Sequence, residues 1–290
     1  MARYFFTASE DAADQISDLY NFVWPTASAL WNLRWQVKGF LAEAPDALND
    51  QLAQRFITGS GIQGADLKNA CIDQSWENQQ EKFAQFILIN AFSIYENWAD
   101  QILVAVGQPQ DSGKRLQRVD TPGKEGLAGT VSALGNVESS TLKAAYYPIY
   151  IAQKRYSTSI ISNLALCYRY FKEIRNCLAH RGGLASDRAE AAYLAFSPVS
   201  SPANLGMRGA LNHFPATKGQ PVKLNLRGVV GFSEVLLRIM TTVDAELSKA
   251  KAAEPYFIER VRAPPTRQPG TLSSDIKRRH AQVAKRCMAV

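Results

Sequence analysis

Apolar residues recur at steps of three and four along most of this chain, the spacing of an α-helix that buries one face. In the clearest stretch Ile160, Leu164, Cys167, Phe171, Ile174 and Leu178 form one such stripe. Arg169, Glu173, Asn176 and His180 repeat at the same steps. At about 3.6 residues per turn they fall on the opposite face. Gly182 and Gly183 follow, and they suit a left-handed C-terminal cap. His180 is therefore expected in the last turn, pointing away from the core, where the helix dipole favours an imidazolium. Arg175 lies about 140° from His180 around a regular helix. Either the helix distorts near its end, or Arg175 reaches around, or it serves a site built by two chains.

The same periodicity divides the rest of the chain. Ser9 reads as a helix cap, and Ile16, Leu19, Tyr20 and Val23 fit the helix behind it. Pro25 interrupts it, and a second helix runs through Leu30, Leu33 and Val37 to about Leu41. Pro45 opens a third, through Leu48, Leu52 and Phe56, ended by Gly59-Ser60-Gly61. Helix then runs from about Asp66 to Val106, where Gly107 and Pro109 stop it. Gln108–Gly135 is rich in Gly and charge and reads as a loop or a mobile insertion. A long helix follows from about Val137 or Thr141, kinked at Pro148. Past His180 a short helix over Asp187–Ala192 precedes two strands, Tyr193–Phe196 and Val222–Leu226, flanking a Pro-, Ser- and Gly-rich loop. Helix returns at Val229, with Val235, Leu236, Ile239, Val243 and Leu247 on its apolar side, and Pro255 ends the globular part.

The fold class is thus mainly all-α, a helical bundle with a short β-hairpin after the motif helix. Residues 1–62 form an N-terminal helical extension and 63–255 the main helical domain, with insertions at about 108–136 and 193–226. Residues 256–290 form a basic, Pro-containing tail.

Composition narrows the function classes. The 290 residues are 46% hydrophobic and 20% charged, which is globular and enough for one large or two small domains. No apolar run reaches about 18 residues, so no transmembrane helix is expected. The start, MARYFFTASEDAAD, turns acidic too early for a secretory signal, so a cytoplasmic location with no membrane association is expected. Cys71, Cys167, Cys177 and Cys287 form no CxxC pair and have no His at zinc spacing. Three histidines exclude a His-rich metal site; a carboxylate-bound metal stays open, but no helix shows an inward-facing ExxH pair, and no metal and no cofactor are expected. There is no GxxxxGK[ST] phosphate loop.

The net charge of +7 is concentrated in the tail, where Lys277, Arg278 and Arg279 stand together. Such tails hold phosphate backbones or simply keep a protein soluble. Lys143, Lys154, Arg155 and Arg169 alternate with Tyr146, Tyr147, Tyr150, Tyr156, Tyr168 and Tyr170. That mixture suits single-stranded nucleic acid by charge and stacking, though a core of amphipathic tyrosines is the more ordinary explanation.

The segment Arg175-Asn176-Cys177-Leu178-Ala179-His180 resembles the hallmark of the HEPN superfamily: Arg, a following polar residue, and His a few positions on. The resemblance covers roughly residues 76 to 255, including the apolar helix Phe86–Leu103 before the motif and Val229–Leu247 after it. The spacing alone is a weak signal, since Arg208 and His213 repeat it between Gly206 and Pro215, where no long helix is expected. The resemblance implies a metal-independent endoribonuclease with a composite site at a homodimer interface. Family members serve in toxin–antitoxin and antiphage systems, cutting tRNA or other cellular RNA, and some act under a cognate inhibitor or activator protein. They often carry an acidic residue in the preceding helix, for which Glu96 is the candidate here. The alternative is a non-catalytic module that binds nucleotide, RNA or a partner protein.

The chemistry makes the same demand. RNA cleavage by its own 2′-hydroxyl needs a base, an acid for the leaving 5′-oxygen and a cation for the phosphorane charge. One His and one Arg cannot easily supply all three, whereas two chains can. His180 is assigned to proton transfer, Arg175 to the scissile phosphate and Asn176 to orienting either. Arg169, Lys172 and Arg181 beside the motif, and Lys277, Arg278 and Arg279 in the tail, are the expected RNA-binding residues.

Overall fold

Buried residues lie on almost every side of the segment Leu226–Ser248, which places it at the centre of a bundle. The computed structural model describes residues 3–262 and residue 275. Among them the α-helices are α1 (Thr7–Glu43), α2 (Asn49–Phe56), α3 (Trp76–Ala105), α4 (Leu127–Gly135) and α5 (Ser140–Ala145). Then come α6 (Tyr147–Ile151), α7 (Ile161–His180), α8 (Asp187–Phe196), α9 (Pro202–Leu205), α10 (Leu226–Ser248) and α11 (Glu254–Arg262). Among the described residues the chain is mostly helical and contains no sheet.

Helix α10 is the hub. Val235, Leu236, Ile239, Val243 and Leu247 are fully buried, and α1, α3, α4, α6 and α7 all pack on it. Asn225 caps its start by accepting from the Gly228 amide at 2.8 Å. The expected stripe of α7 is present: Leu164, Cys167, Phe171 and Ile174 are each at most 1% exposed. Phe171 stacks on Phe232 of α10 with ring centroids 4.5 Å apart. Helix α3 starts at Ser75, whose hydroxyl accepts from the Asn78 amide, and buries Ile87, Ala91, Tyr95, Trp98 and Ile102 between α1 and α10.

Pro25 does not end the first helix. Helix α1 runs through it for 37 residues, because Pro25 stands on the exposed side, where water can serve the Asn21 carbonyl that it leaves unpaired. The first half of α1 buries Ile16 and Val23 in the main core. Its second half buries Val37 in a separate small core with Leu52, Leu67 and Cys71. The extension expected over residues 1–62 is thereby divided between the two. Ser9 is not the cap of α1. It is buried inside the helix and accepts from Trp98 Nε1 at 3.0 Å. The helix start is satisfied from α10, whose Asp244 carboxylate accepts from the Phe5 and Phe6 amides at 2.7 and 3.0 Å. Pro45 lies ahead of α2, which begins at Asn49.

Four further expectations are corrected. The stretch 108–136 is built into the molecule: Leu116 and Leu127 are 1% exposed. Its glycines serve close approach, since a Cβ on Gly113 would lie 2.4 Å from Asp100 Oδ1. The Asp120 carboxylate accepts from the amides of Gly126, Ala128 and Gly129 and starts α4. The helix expected from about residue 137 is broken at Pro148, which stands in the first turn of α6 after the short α5. The β-hairpin is absent. Tyr193–Phe196 closes α8, where Ser186 caps the start and Ala189, Ala192 and Phe196 keep helical spacing, so core packing overrides the β-propensity of Tyr and Phe. The Val222 amide donates to the Gly183 carbonyl at 2.8 Å beside an isolated bridge at Leu184 and Pro221. Pro255 starts α11 rather than ending the core, and Phe257 stacks on Phe5 at 6.2 Å.

Candidate functional site

Helix α7 ends where its sequence says it should. Gly182 and Gly183 take φ of 59° and 82°, and the Gly183 amide turns back to the Cys177 carbonyl at 3.0 Å. His180 stands exposed in this last turn. The chain then crosses to Ser186, whose hydroxyl accepts from the Ala189 amide and starts α8. Between the two helices lies an open hollow of 630 Å3 whose lining includes Glu173, Asn176, His180, Arg181, Asp187 and Arg188. Asn176 and His180 are thus brought together on one surface. Arg181 is exposed beside them.

Arg175 points elsewhere. Its Nη2 pairs with Glu96 Oε1 of α3 at 2.5 Å, and its guanidinium lies 5.1 Å from the Phe92 ring. Its Nε is buried with no hydrogen-bond partner among the described residues. Lys172, one turn earlier, donates to Gln117 at 3.2 Å and covers the Tyr168 ring at 5.6 Å. Burial pushes the Lys172 ammonium pKa down, and the nearby Glu96 carboxylate opposes the shift. The Tyr168 phenol is driven well above its ordinary range by the same desolvation. Glu96 and Arg175 therefore form a half-buried charged seam between α3 and α7, separate from the hollow that holds His180.

Around α7 the two groups are the edges of one solvent-facing arc. With Arg175 at the origin, Ala179 falls at about 40°, Lys172 at about 60°, Asn176 at about 100° and His180 at about 140°. Arg169 lies within the same arc and is half-buried. Within one chain the arc holds Arg175 and His180 apart, and of the three alternatives the structure leaves the helix regular to His180.

Arg188 and Glu173 were not singled out in the sequence as site residues, although Glu173 was placed on the polar face. Arg188 becomes visible only when α8 folds back against the end of α7. The second Arg–His pair behaves as expected of a chance spacing. Arg208 is in a loop, and His213 Nδ1 lies 3.0 Å from the Leu211 carbonyl oxygen, with its ring among Tyr170, Tyr193 and Phe196. Lys277, Arg278 and Arg279 lie outside the described residues. Among the described residues no group of three His, Cys, Asp or Glu side chains could hold a metal ion, and no helix is long and apolar enough to cross a membrane. Compared with family models, curated proteins and solved structures, the chain matches none of them.

Proposed function

We propose that the protein is a metal-independent endoribonuclease whose proton-transfer group is His180 and whose site is completed by a second copy of the chain. The observation that carries this reading is the arrangement on α7: an exposed imidazole at one edge of a solvent-facing arc, an arginine at the other, and the small Ala179 between them. A twofold axis passing near Ala179 would lay one α7 across its partner. The His180 edge of each chain then meets the Arg175 edge of the other, and two imidazoles and two guanidinium groups surround one phosphodiester.

In that site one imidazole removes the proton from the 2′-hydroxyl. The 2′-oxygen attacks phosphorus, the bond from phosphorus to the 5′-oxygen breaks, and an imidazolium protonates the departing 5′-oxygen. The products are a 2′,3′-cyclic phosphate and a 5′-hydroxyl, with no water consumed and no metal required. Arg175 must exchange Glu96 for the phosphate to stabilise the phosphorane, so Glu96 holds the guanidinium ready and competes with RNA. Asn176 orients the imidazole or the phosphate from one turn away. Arg169, Lys172, Arg181 and the tail lysine and arginines steer the strand. A toxin or antiphage effector that cuts tRNA or other cellular RNA, in the cytoplasm and under a cognate inhibitor or activator, is the biological setting that the family resemblance implies.

One observation favours a second reading, a non-catalytic module binding nucleotide, RNA or a partner protein. Glu96 already pairs with Nη2 of Arg175, as in a purely structural ion pair. RNA cleavage in EDTA by wild type, His180→Ala and Arg175→Lys separates the two. The nuclease reading expects cleavage by wild type alone, ending in a cyclic phosphate and silenced by a 2′-deoxy sugar at the cut. Cleavage by all three, or of the deoxy substrate, overturns it.

A further inference from the structure

On another side of the molecule α1, the loop before α7, the loop after α9 and the first turns of α10 enclose a cleft of 1230 Å3. It shares no residue with the His180 hollow. Its charge is one-sided. Lys154, Arg155, Arg208, Arg227 and Arg238 line it against a single carboxylate, Glu234. That carboxylate is already engaged: Arg155 holds it with Nε and Nη2 at 3.1 and 2.9 Å, and Arg238 Nε stands 3.4 Å away. Lys154, Arg208 and Arg227 are exposed and have no side-chain ion pair among the described residues.

A cation this crowded is costly unless an anion joins it. The cost is clearest at Arg238, which is 9% exposed. Its Nη1 donates to Ser157 Oγ at 3.2 Å, yet its Nε is buried without a hydrogen bond. One side of the first turns of α10 lines the cleft through Arg227, Val230 and Gly231. Trp24 also lines the cleft, stacked on Tyr20 at 5.5 Å and still 42% exposed. An exposed aromatic ring and several guanidinium groups lining one cleft match a base joined to a phosphate.

We infer that this cleft binds a nucleoside phosphate, with the phosphate held by Arg208, Arg227 and Lys154 and the base against Trp24. The ligand is either a free nucleotide or a nucleotide of a single strand, since both offer the same two groups. The site is independent of catalysis at His180, and its failure would leave the ribonuclease reading untouched.

The test is calorimetric titration of the full chain with AMP, with inorganic phosphate and with a short single-stranded oligodeoxynucleotide. Saturable AMP binding is expected, weakened about tenfold by Arg208→Ala, by Arg227→Ala and by Trp24→Ala, and unchanged by His180→Ala. Circular dichroism melts that match wild type confirm that these exposed substitutions leave the fold intact. An oligonucleotide that displaces AMP assigns the site to a strand, and one that does not assigns it to a free nucleotide. Phosphate binding as tightly as AMP, or AMP binding indifferent to the three substitutions, overturns the assignment. So does the absence of saturable binding by both nucleotide and oligonucleotide.

Discussion

At the scale of single residues, buried charge decides more than exposed charge. Arg175 and Glu96 keep side-chain exposures of only 20% and 34%, so neither is well served by water when the other is removed. Glu96→Ala should therefore cost about 1–2 kcal/mol in urea unfolding, more than a surface pair and less than a fully buried one. No change in the midpoint would show that the pair is incidental. Asp244 presents the opposite balance. It is fully enclosed beside the start of α1, and burial pushes its carboxyl up to about 7, against the Phe5 and Phe6 amides that favour the charged form. The folded chain then keeps a proton that the unfolded chain releases near its ordinary value of about 3.9. The stability this gives is fully present below about pH 4 and is lost as pH rises through about 7. Wild type should exceed Asp244→Asn in stability by more at about pH 5 than at about pH 8. An equal gap at both would mean that Asp244 stays charged throughout.

At the scale of elements, periodicity reports the long helices and says little about their joints. The stripe Leu164, Cys167, Phe171, Ile174 and the apolar side of α10 are legible because each obeys one spacing and meets one core. The glycines of 108–136 mislead, because a glycine chosen for mobility and one chosen for close approach look alike in sequence. Gly113→Ala distinguishes them. Its new Cβ would meet Asp100 Oδ1 at 2.4 Å and the Asp100 backbone nitrogen at 2.6 Å. Denaturant unfolding should show a loss of about 1–3 kcal/mol, where a mobile loop would show none. Pro25 and Tyr193–Phe196 mislead for related reasons. A proline on a solvated side costs a helix little continuity, and a local β-preference yields when Ser186 starts a helix and Ala189, Ala192 and Phe196 find a core.

At the scale of the whole molecule, the proposed chemistry needs a partner surface. If α7 crosses its copy near Ala179, then Ala179→Arg places two like charges on the axis. Sedimentation should show wild type at twice the chain mass and the variant at one, with RNA cleavage lost and the melting temperature nearly kept, because Ala179 is exposed. A wild-type monomer, or a variant that still dimerises, would rule out this seam.

From sequence alone came the helical class, the packed stripes of α7 and α10, the glycine cap and the outward His180. Each depends on residues within a few turns of one another, where helical geometry admits one answer. Tertiary structure decided the rest. It set Arg175 against Glu96 across 79 positions, brought Arg188 to the hollow beside His180, and gathered Trp24, Lys154, Arg208 and Arg227 around one cleft. Those pairings follow from how the helices cross, and a crossing depends on the summed shape of several buried faces, which no single stretch of the chain encodes.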